Sequence, residues 1–254
     1  MKISAVIITK NEEKNIIRCL ESLKWVDEIV VVDSESTDKT VEIAKRYNAK
    51  IVSPIWEGYG KAKNSGVDAA CGEWILSVDA DEELSEKLKV EIKEIIDNSD
   101  ACDGYYLKRK TKFMGQWILH CGWYPDYILR LFKKSKGRFD DKVIHERVLV
   151  QGATGKTNGE LLHYSYDNLE QYFEKFNRYT TISAKEEFSK GTKVGIVKLF
   201  VKPVAAFVKH YIIKLGFLDG TAGFVLSVLS AKAVFVKYSK LMELIEKEKY
   251  GNKN

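Results

Sequence analysis

Trp74-Ile75-Leu76-Ser77-Val78-Asp79-Ala80-Asp81-Glu82 is the stretch on which the reading of this 254-residue chain turns. Its first half is short, apolar and uninterrupted, the pattern of a strand buried on both faces. Its second half is acidic. Two carboxylates two positions apart repel one another unless a cation neutralises them. An oxygen-preferring divalent ion, Mg²⁺ or Mn²⁺, is the natural partner, usually shared with substrate phosphates. The competing reading is an acidic helix start, because carboxylates also favour the positive end of a helix dipole.

The neighbouring sequence decides between them. Upstream, Ile3-Ser4-Ala5-Val6-Ile7-Ile8 is a second apolar, β-branched run, followed by the polar Thr9-Lys10-Asn11-Glu12. Ile16, Ile17, Leu20 and Leu23 then recur at helical spacing. Glu28-Ile29-Val30-Val31-Val32 is another strand and ends in Asp33, before a loop rich in capping residues, Ser34 to Asp38. A helix through Val41, Ile43, Ala44 and Tyr47, a short strand at Ile51-Val52, and a helix over 61–71 closed by Gly72 lead to the Trp74 strand. A further helix covers 85–97. Strands alternating with helices predict an α/β fold with a mostly parallel central sheet and helices on both faces. From 104 to 164 the pattern changes to short strands at 105–107, 127–132, 148–150 and 161–164, expected to add mixed or antiparallel strands to the same sheet. In such a sheet, ligands sit beyond the carboxyl ends of the strands. Thr9 to Glu12, Asp33, Asp79 and Asp81 all fall there. The first turn carries neither GxGxxG nor GxxxxGK[ST], which excludes a dinucleotide-type Rossmann site and a P-loop.

Charge is distributed unevenly. Residues 189–254 hold 12 lysines against 4 acids, whereas the remaining 188 residues hold 29 basic and 32 acidic side chains. A slightly acidic body with a basic tail argues against a nucleic-acid binder, whose basic surface should lie on the folded domain. The four cysteines, Cys19, Cys71, Cys102 and Cys121, form no CxxC pair, so neither a zinc ribbon nor a disulfide framework is indicated. Reduced, mostly buried thiols of a cytoplasmic protein are expected. No charged leader with a cleavage site precedes the first strand, so no signal peptide is expected.

With these residues placed, the sequence resembles the family 2 glycosyltransferases of the GT-A fold. The resemblance rests on Val6-Ile7-Ile8-Thr9-Lys10-Asn11-Glu12, Val31-Val32-Asp33-Ser34-Glu35-Ser36-Thr37-Asp38, Lys61-Ala62-Lys63-Asn64-Ser65-Gly66 and the Trp74–Glu82 stretch. Within that family it looks most like the lipopolysaccharide-core β-1,4-glucosyltransferase branch. That narrower likeness rests on Lys142-Val143-Ile144-His145-Glu146, the long helix with Lys175 through Tyr179, and Leu215-Gly216-Phe217-Leu218-Asp219-Gly220. The resemblance implies a nucleotide-sugar donor, a UDP-hexose, whose sugar is moved to a glycolipid or saccharide acceptor. It implies that Asp33 contacts the uracil or ribose and that Thr9, Asn11 and Glu12 line the same pocket. Lys61 and Asn64 would sit near the base or diphosphate, and Asp79 would contact the ribose or sugar. Asp81 would bind the metal, with His163 completing the metal site. Glu146 would be the catalytic base, oriented by His145, with Asp140 and Asp141 as competitors for that role. Trp117, Trp123 and Tyr124 could form an acceptor loop or a core. Arg130 and the run Lys133 to Arg138 could meet an anionic acceptor or stay solvated.

The chemistry such a site suits is displacement at an anomeric carbon. A metal offsets charge on the leaving diphosphate and a carboxylate takes the acceptor's proton. One displacement inverts the centre. Two other readings compete: a sugar-phosphate nucleotidyltransferase, which usually opens on a Gly-rich, Arg-containing loop absent here, and a non-catalytic module binding nucleotide-sugar or membrane.

Residues 1–190 are thus expected to form the catalytic domain and 191–254 a basic helical tail. No 18-residue apolar run is free of charge, so a membrane-crossing helix is not indicated. On a helical wheel Lys198, Lys202 and Lys209 cluster opposite Val197, Phe200, Val201, Val204, Phe207, Val208 and Tyr211, the pattern of a helix lying in a membrane interface. An enzyme peripheral to the inner face of the cell membrane, drawn by an anionic surface, is the expectation. Packing on the catalytic domain or a homo-oligomer contact is the alternative.

Overall fold

The computed structural model describes residues 2–140, 146–166 and 168–251. They fall into two compact units: Met1–Lys110 with Pro125–Ser165, and Thr111–Tyr124 with Tyr166–Asn254. The division therefore does not run near Gly191. The helix before that glycine belongs with the helices after it.

The first unit opens as the alternation predicts. Strand β1 (Ile3–Thr9) is followed by α1 (Ile16–Ser22), β2 (Glu28–Asp33), α2 (Thr40–Arg46), β3 (Lys50–Val52), α3 (Tyr59–Ala69), β4 (Trp74–Asp79), β5 (Glu82–Leu84) and α4 (Glu86–Asp97). Next come β6 (Gly104–Phe113), which runs on into the second unit, and β7 (Gln116–Trp117), wholly within it. The first unit ends with β8 (Asp126–Lys133), β9 (Gly137–Phe139), β10 (Val148–Val150) and β11 (Thr154–His163). The sheet order is β3-β2-β1-β4-β8-β6-β11-β5. The β3-β2-β1-β4 half is parallel, and β8 joins β4 antiparallel, as does β11 to β5.

Side chains alternate across the sheet as a pleated strand requires. Ile3, Ala5 and Ile7 of β1, with Val31, Leu76 and Val78, face Leu20, Leu88 and Ile92 of the helices in one core. Val6, Val30, Val32 and Ile75 face Ala62 and Val67 of α3 in the other. Gly66 permits that second contact. A Cβ there would lie 2.4 Å from Val6 Cγ1 and 2.5 Å from Val32 Cγ2. Helix α3 ends at Ala69 with an extended Ala70, so Gly72 is not its cap. Gly72 instead lies against the backbone of Ser4.

Four strands are longer than the sequence suggests or new to it. β6 and β11 each run to 10 residues, and β5 and β9 form where an acidic helix start and a basic loop were expected. The pairing is non-local, so no local pattern announces it. Leu161, Leu162 and His163 lie opposite Leu84, Glu83 and Glu82.

The second unit is helical. It contains α5 (Leu169–Ser189), α6 (Lys202–Val208) between two π-helical turns at Val197–Val201 and Lys209–Ile213, and α7 (Gly220–Gly251). Asn168 caps α5, accepting from the Gln171 N–H at 2.9 Å. Pro203, which lacks an N–H, stands at the first turn of α6, where that donor is dispensable. Gly216–Tyr250 is long and apolar enough to cross a bilayer by length and composition, which the sequence reading had set aside. Its Leu226, Leu229, Tyr238 and Leu241 are buried inside this unit, while Phe224, Phe235 and Met242 are exposed.

Trp123 belongs to this core, packing on Phe113 and Tyr166. Asp219 ties its parts together. Its carboxylate accepts from the N–H groups of Leu119 and His120 and pairs with His120 Nδ1 at 3.0 Å. The cysteines are all free; Cys19 and Cys121 are buried, while Cys71 is exposed.

Candidate active site

The carboxyl ends of β1, β2 and β4 lie side by side, with Thr9 opposite Asp33 and Ile8 opposite Asp79. The loops leaving β1 and β2 are stitched together. Asn11, in the left-handed backbone region at φ 54°, donates its N–H to Ser36 Oγ and accepts from the Thr37 N–H at 2.8 Å. The Glu12 N–H donates to Thr40 Oγ1, and the Glu13 N–H to Asp38. Glu12 also accepts from the Asn15 side chain at the start of the helix. Asn11 and Glu12, expected to line the nucleoside pocket, here hold the two loops together.

Beneath this loop lies a set of buried polar atoms without hydrogen-bond partners: Thr9 Oγ1, Asp33 Oδ1 and Ser34 Oγ. Leaving a buried polar atom unmade costs about 1–3 kcal/mol, so such atoms mark a place prepared for a partner. Asp33 is held in place through its other oxygen, which accepts from the Ser36 N–H. Ser34 was within the quoted motif but not singled out.

Asp79 is not a free carboxylate. Arg130 of β8 grips both its oxygens, and Lys63 of α3 lies 3.0 Å from Oδ1. Burial pushes the Asp79 carboxyl up, but Arg130 and Lys63 outweigh it and hold it well below the carboxylate range. Burial likewise lowers Arg130, and Asp79 with Glu82 more than offsets that, keeping the guanidinium firmly charged. Glu82 is fully buried, accepts from the Asp79 N–H, and has Arg109 at 3.5 Å and Arg130 at 3.8 Å. Arg130 therefore does not reach outward to an acceptor; it is spent on the strand-end acids. Three of the four cations in the basic run after it are spent too. Lys133 pairs with Asp103, Lys134 caps backbone carbonyls at Asp68 and Ala70, and Arg138 pairs with Asp68.

Lys63 also reaches Glu146 Oε1 at 2.8 Å, with a side chain only 3% exposed. One buried ammonium thus joins the strand-end Asp79 to Glu146, which lies 83 residues beyond the lysine in sequence. Lys61, expected near the diphosphate, is instead half-exposed and pairs with Glu57 one turn away. The helix turns about 100° per residue, so positions 61 and 63 face opposite ways. Asn64 is buried. It exchanges two 3.0 Å hydrogen bonds with the Phe139 backbone and so anchors the chain leading toward Glu146. His145, Asp141 and the rest of the Lys142-to-His145 motif lie outside the described residues. Asp140 accepts from the Arg147 N–H at 3.0 Å, which turns it to its own loop.

Asp81 and His163 are brought together by the β5–β11 pairing. Their Oδ2 and Nε2 atoms are 3.3 Å apart, each side chain 14% exposed. Tyr164 N–H donates to the Asp81 carbonyl, fixing the backbone between them. Among the described residues, no group of three or more His, Cys, Asp or Glu side chains gathers as a protein-only metal cage.

Residues 4–149 match the sequence profile described as Glycosyl transferase family 2. The chain belongs to that family. It is 36% identical over 255 residues to an uncharacterized glycosyltransferase of Rickettsia typhi, covering 96% of this chain and 87% of the other. It is 29% identical over 255 residues to the lipopolysaccharide core biosynthesis glycosyltransferase LpsC of Rhizobium meliloti, covering 96% and 93%. Staphylococcus aureus TarS 1-349, crystallised with UDP-GlcNAc, superposes with a TM-score of 0.50 at 16% identity over 99% of this chain and 92% of that one. That likeness is one of fold, and the fold of this family 2 glycosyltransferase is the GT-A type.

Proposed function

We propose that this glycosyltransferase moves a hexose from a UDP-sugar to a glycolipid or saccharide acceptor of the lipopolysaccharide-core class, by a single inverting displacement assisted by a divalent cation. The observation that carries the reading is the meeting, at one strand edge, of orphaned polar atoms, an Asp–His pair and a carboxylate held by a buried lysine.

Thr9, Asp33 and Ser34 supply unpaired acceptors and hydroxyls, suited to a nucleoside's ring N–H and ribose hydroxyl groups. Asp81 and His163 give one oxygen and one nitrogen donor in close approach. That set suits Mg²⁺ or Mn²⁺, whose remaining positions go to phosphate oxygens and water. The metal, when bound, would offset the negative charge developing on the leaving diphosphate. Asp79 keeps its charge tied to Arg130 and Lys63, so its role here is to fix the strand end rather than to ligate. Glu146 takes the proton of the acceptor hydroxyl as that oxygen bonds to the anomeric carbon. The bond from that carbon to the diphosphate oxygen breaks with its electron pair on the diphosphate, which leaves as UDP. Lys63 holds Glu146 in register for that transfer. The name of LpsC supports the acceptor class.

The test is UDP release from a panel of UDP-sugars with Mn²⁺ present. Slow release from one sugar, stopped by a chelator, is expected. Release from none, together with no transfer to rough lipopolysaccharide, would set the reading aside.

A further inference from the structure

The second unit carries an apolar surface that no part of that unit covers. In the segment around α6, Ile196, Val197, Phe200, Val201, Val204 and Val208 are exposed, Val204 to 65% and Ile196 to 76%. The surface continues through Ile212 and Ile213 to Leu215, Phe217 and Leu218 in the turn before α7. Isolated exposed apolar side chains are ordinary; a contiguous row of this kind marks an interaction face.

The opposite side of the same segment is already satisfied. Leu199 packs with Tyr238 and Leu241, and Phe207 and Tyr211 stack on one another and meet Phe224 edge-on. Phe207 and Tyr211, expected on the outer face, therefore point inward. The π-helical turns on either side of α6 change the angular step along the segment and move the stripe to 197, 200, 201, 204, 208 and 212. The segment is apolar on both sides, and one of them is left to the outside.

Its charge identifies the occupant. Between Glu187 and Asp219 there is no acidic residue, while Lys190, Lys193, Lys198, Lys202, Lys209 and Lys214 are all basic. Lys193, Lys209 and Lys214 are exposed, whereas the Lys202 ammonium turns inward and donates to the Tyr238 hydroxyl. An apolar stripe bordered only by lysines complements the headgroup boundary of an anionic bilayer: apolar side chains enter the acyl region and ammonium groups remain with the phosphates. A second copy docked on the same face would bring this acid-free, lysine-bearing segment against itself. We infer that the exposed face from Ile196 to Leu218 is a monotopic membrane-insertion surface for anionic bilayers. The inference stands apart from the transferase reading, since none of these residues belongs to the strand-end site.

Flotation of the full chain with vesicles of 30% phosphatidylglycerol in phosphatidylcholine, and with phosphatidylcholine alone, tests it. Wild type should float with the anionic vesicles and at least tenfold less with the neutral ones. Phe200→Glu and Val204→Glu, both at exposed positions, should each weaken flotation at least tenfold while keeping the wild-type thermal transition and UDP affinity. Unchanged flotation of both variants overturns the inference. So does self-association in solution that these variants abolish while wild type ignores vesicles, since a second copy then covers the face.

Discussion

Lys63 stands between a carboxylate from the end of a strand and one from a distant loop, and its buried position makes both contacts consequential. Removing an electrostatic group of a catalytic centre typically costs on the order of 10²–10³ in rate. Asp81→Ala and Glu146→Gln are each expected to lower UDP-forming turnover by at least about 100-fold. Lys63→Met should cost about 100-fold by letting Glu146 drift, since small misplacements are that costly. Steady-state UDP release at saturating donor measures all three, and near-wild-type rates would remove the residue concerned from the mechanism. Arg130→Met leaves Asp79 and Glu82 short of a cation, and loss of one partner from a buried pair costs about 3–5 kcal/mol. Urea unfolding should show it. The acids at the strand ends were legible because a strand ending in carboxylates is a local pattern. Lys63 was missed although a signal existed: it lies three residues from Gly60 and Gly66 and four from Val67, on the buried face of α3, whereas Lys61 lies on the other. Ion partners such as Arg130 were not legible, because only the sheet order sets β8 beside β4.

At the scale of elements, the first 97 residues were readable because each strand and helix there carries its own period and stops. β5 was not, since Glu82–Leu84 is too short to show alternation and begins with an acid that also suits a helix start. Its pairing with β11 is what sets His163 beside Asp81. The packing of α3 on β1 and β2 is a sharper test of the fold than any surface change. Gly66→Ala would force a methyl onto Val6 and Val32, and overpacking of that kind costs about 1–3 kcal/mol. A drop in thermal midpoint with donor chemistry intact is expected; an unchanged midpoint would mean α3 sits farther from the sheet. Ser85 caps α4, accepting from the Leu88 N–H at 3.3 Å. Ser85→Ala should lower stability by about 1 kcal/mol, read in the same unfolding experiment.

At the scale of the whole molecule, the split between an acidic body and a lysine-rich tail was visible in composition alone. The division into compact units was not, because residues 111–124 join the C-terminal helices through Asp219 and a buried aromatic cluster rather than through any sequence signal. The burial of charge also gives the protein a pH signature. The Asp79 pKa in the folded state lies below its ordinary value of 3.8. The stability it contributes is therefore complete above that value and lost as pH falls through the folded one. In metal-free buffer, the stability gap between wild type and Asp79→Asn should be largest near neutrality and shrink on acidification below about pH 4. A gap that widened on acidification would contradict the ion pairing described for Asp79.

On the function proposed above, the strand edge formed by Thr9, Asp33 and Asp81 with His163 is a metal-assisted nucleoside diphosphate site. Calorimetric titration of UDP into wild type, Asp33→Ala and Asp81→Ala, each with Mn²⁺ and with a chelator, tests it most directly. Asp33→Ala is expected to weaken UDP binding whether or not metal is present. Chelation should weaken wild type at least tenfold, and Asp81→Ala should bind as chelated wild type does, with no further response to metal. UDP affinity that is the same in all three proteins and indifferent to Mn²⁺ would contradict it.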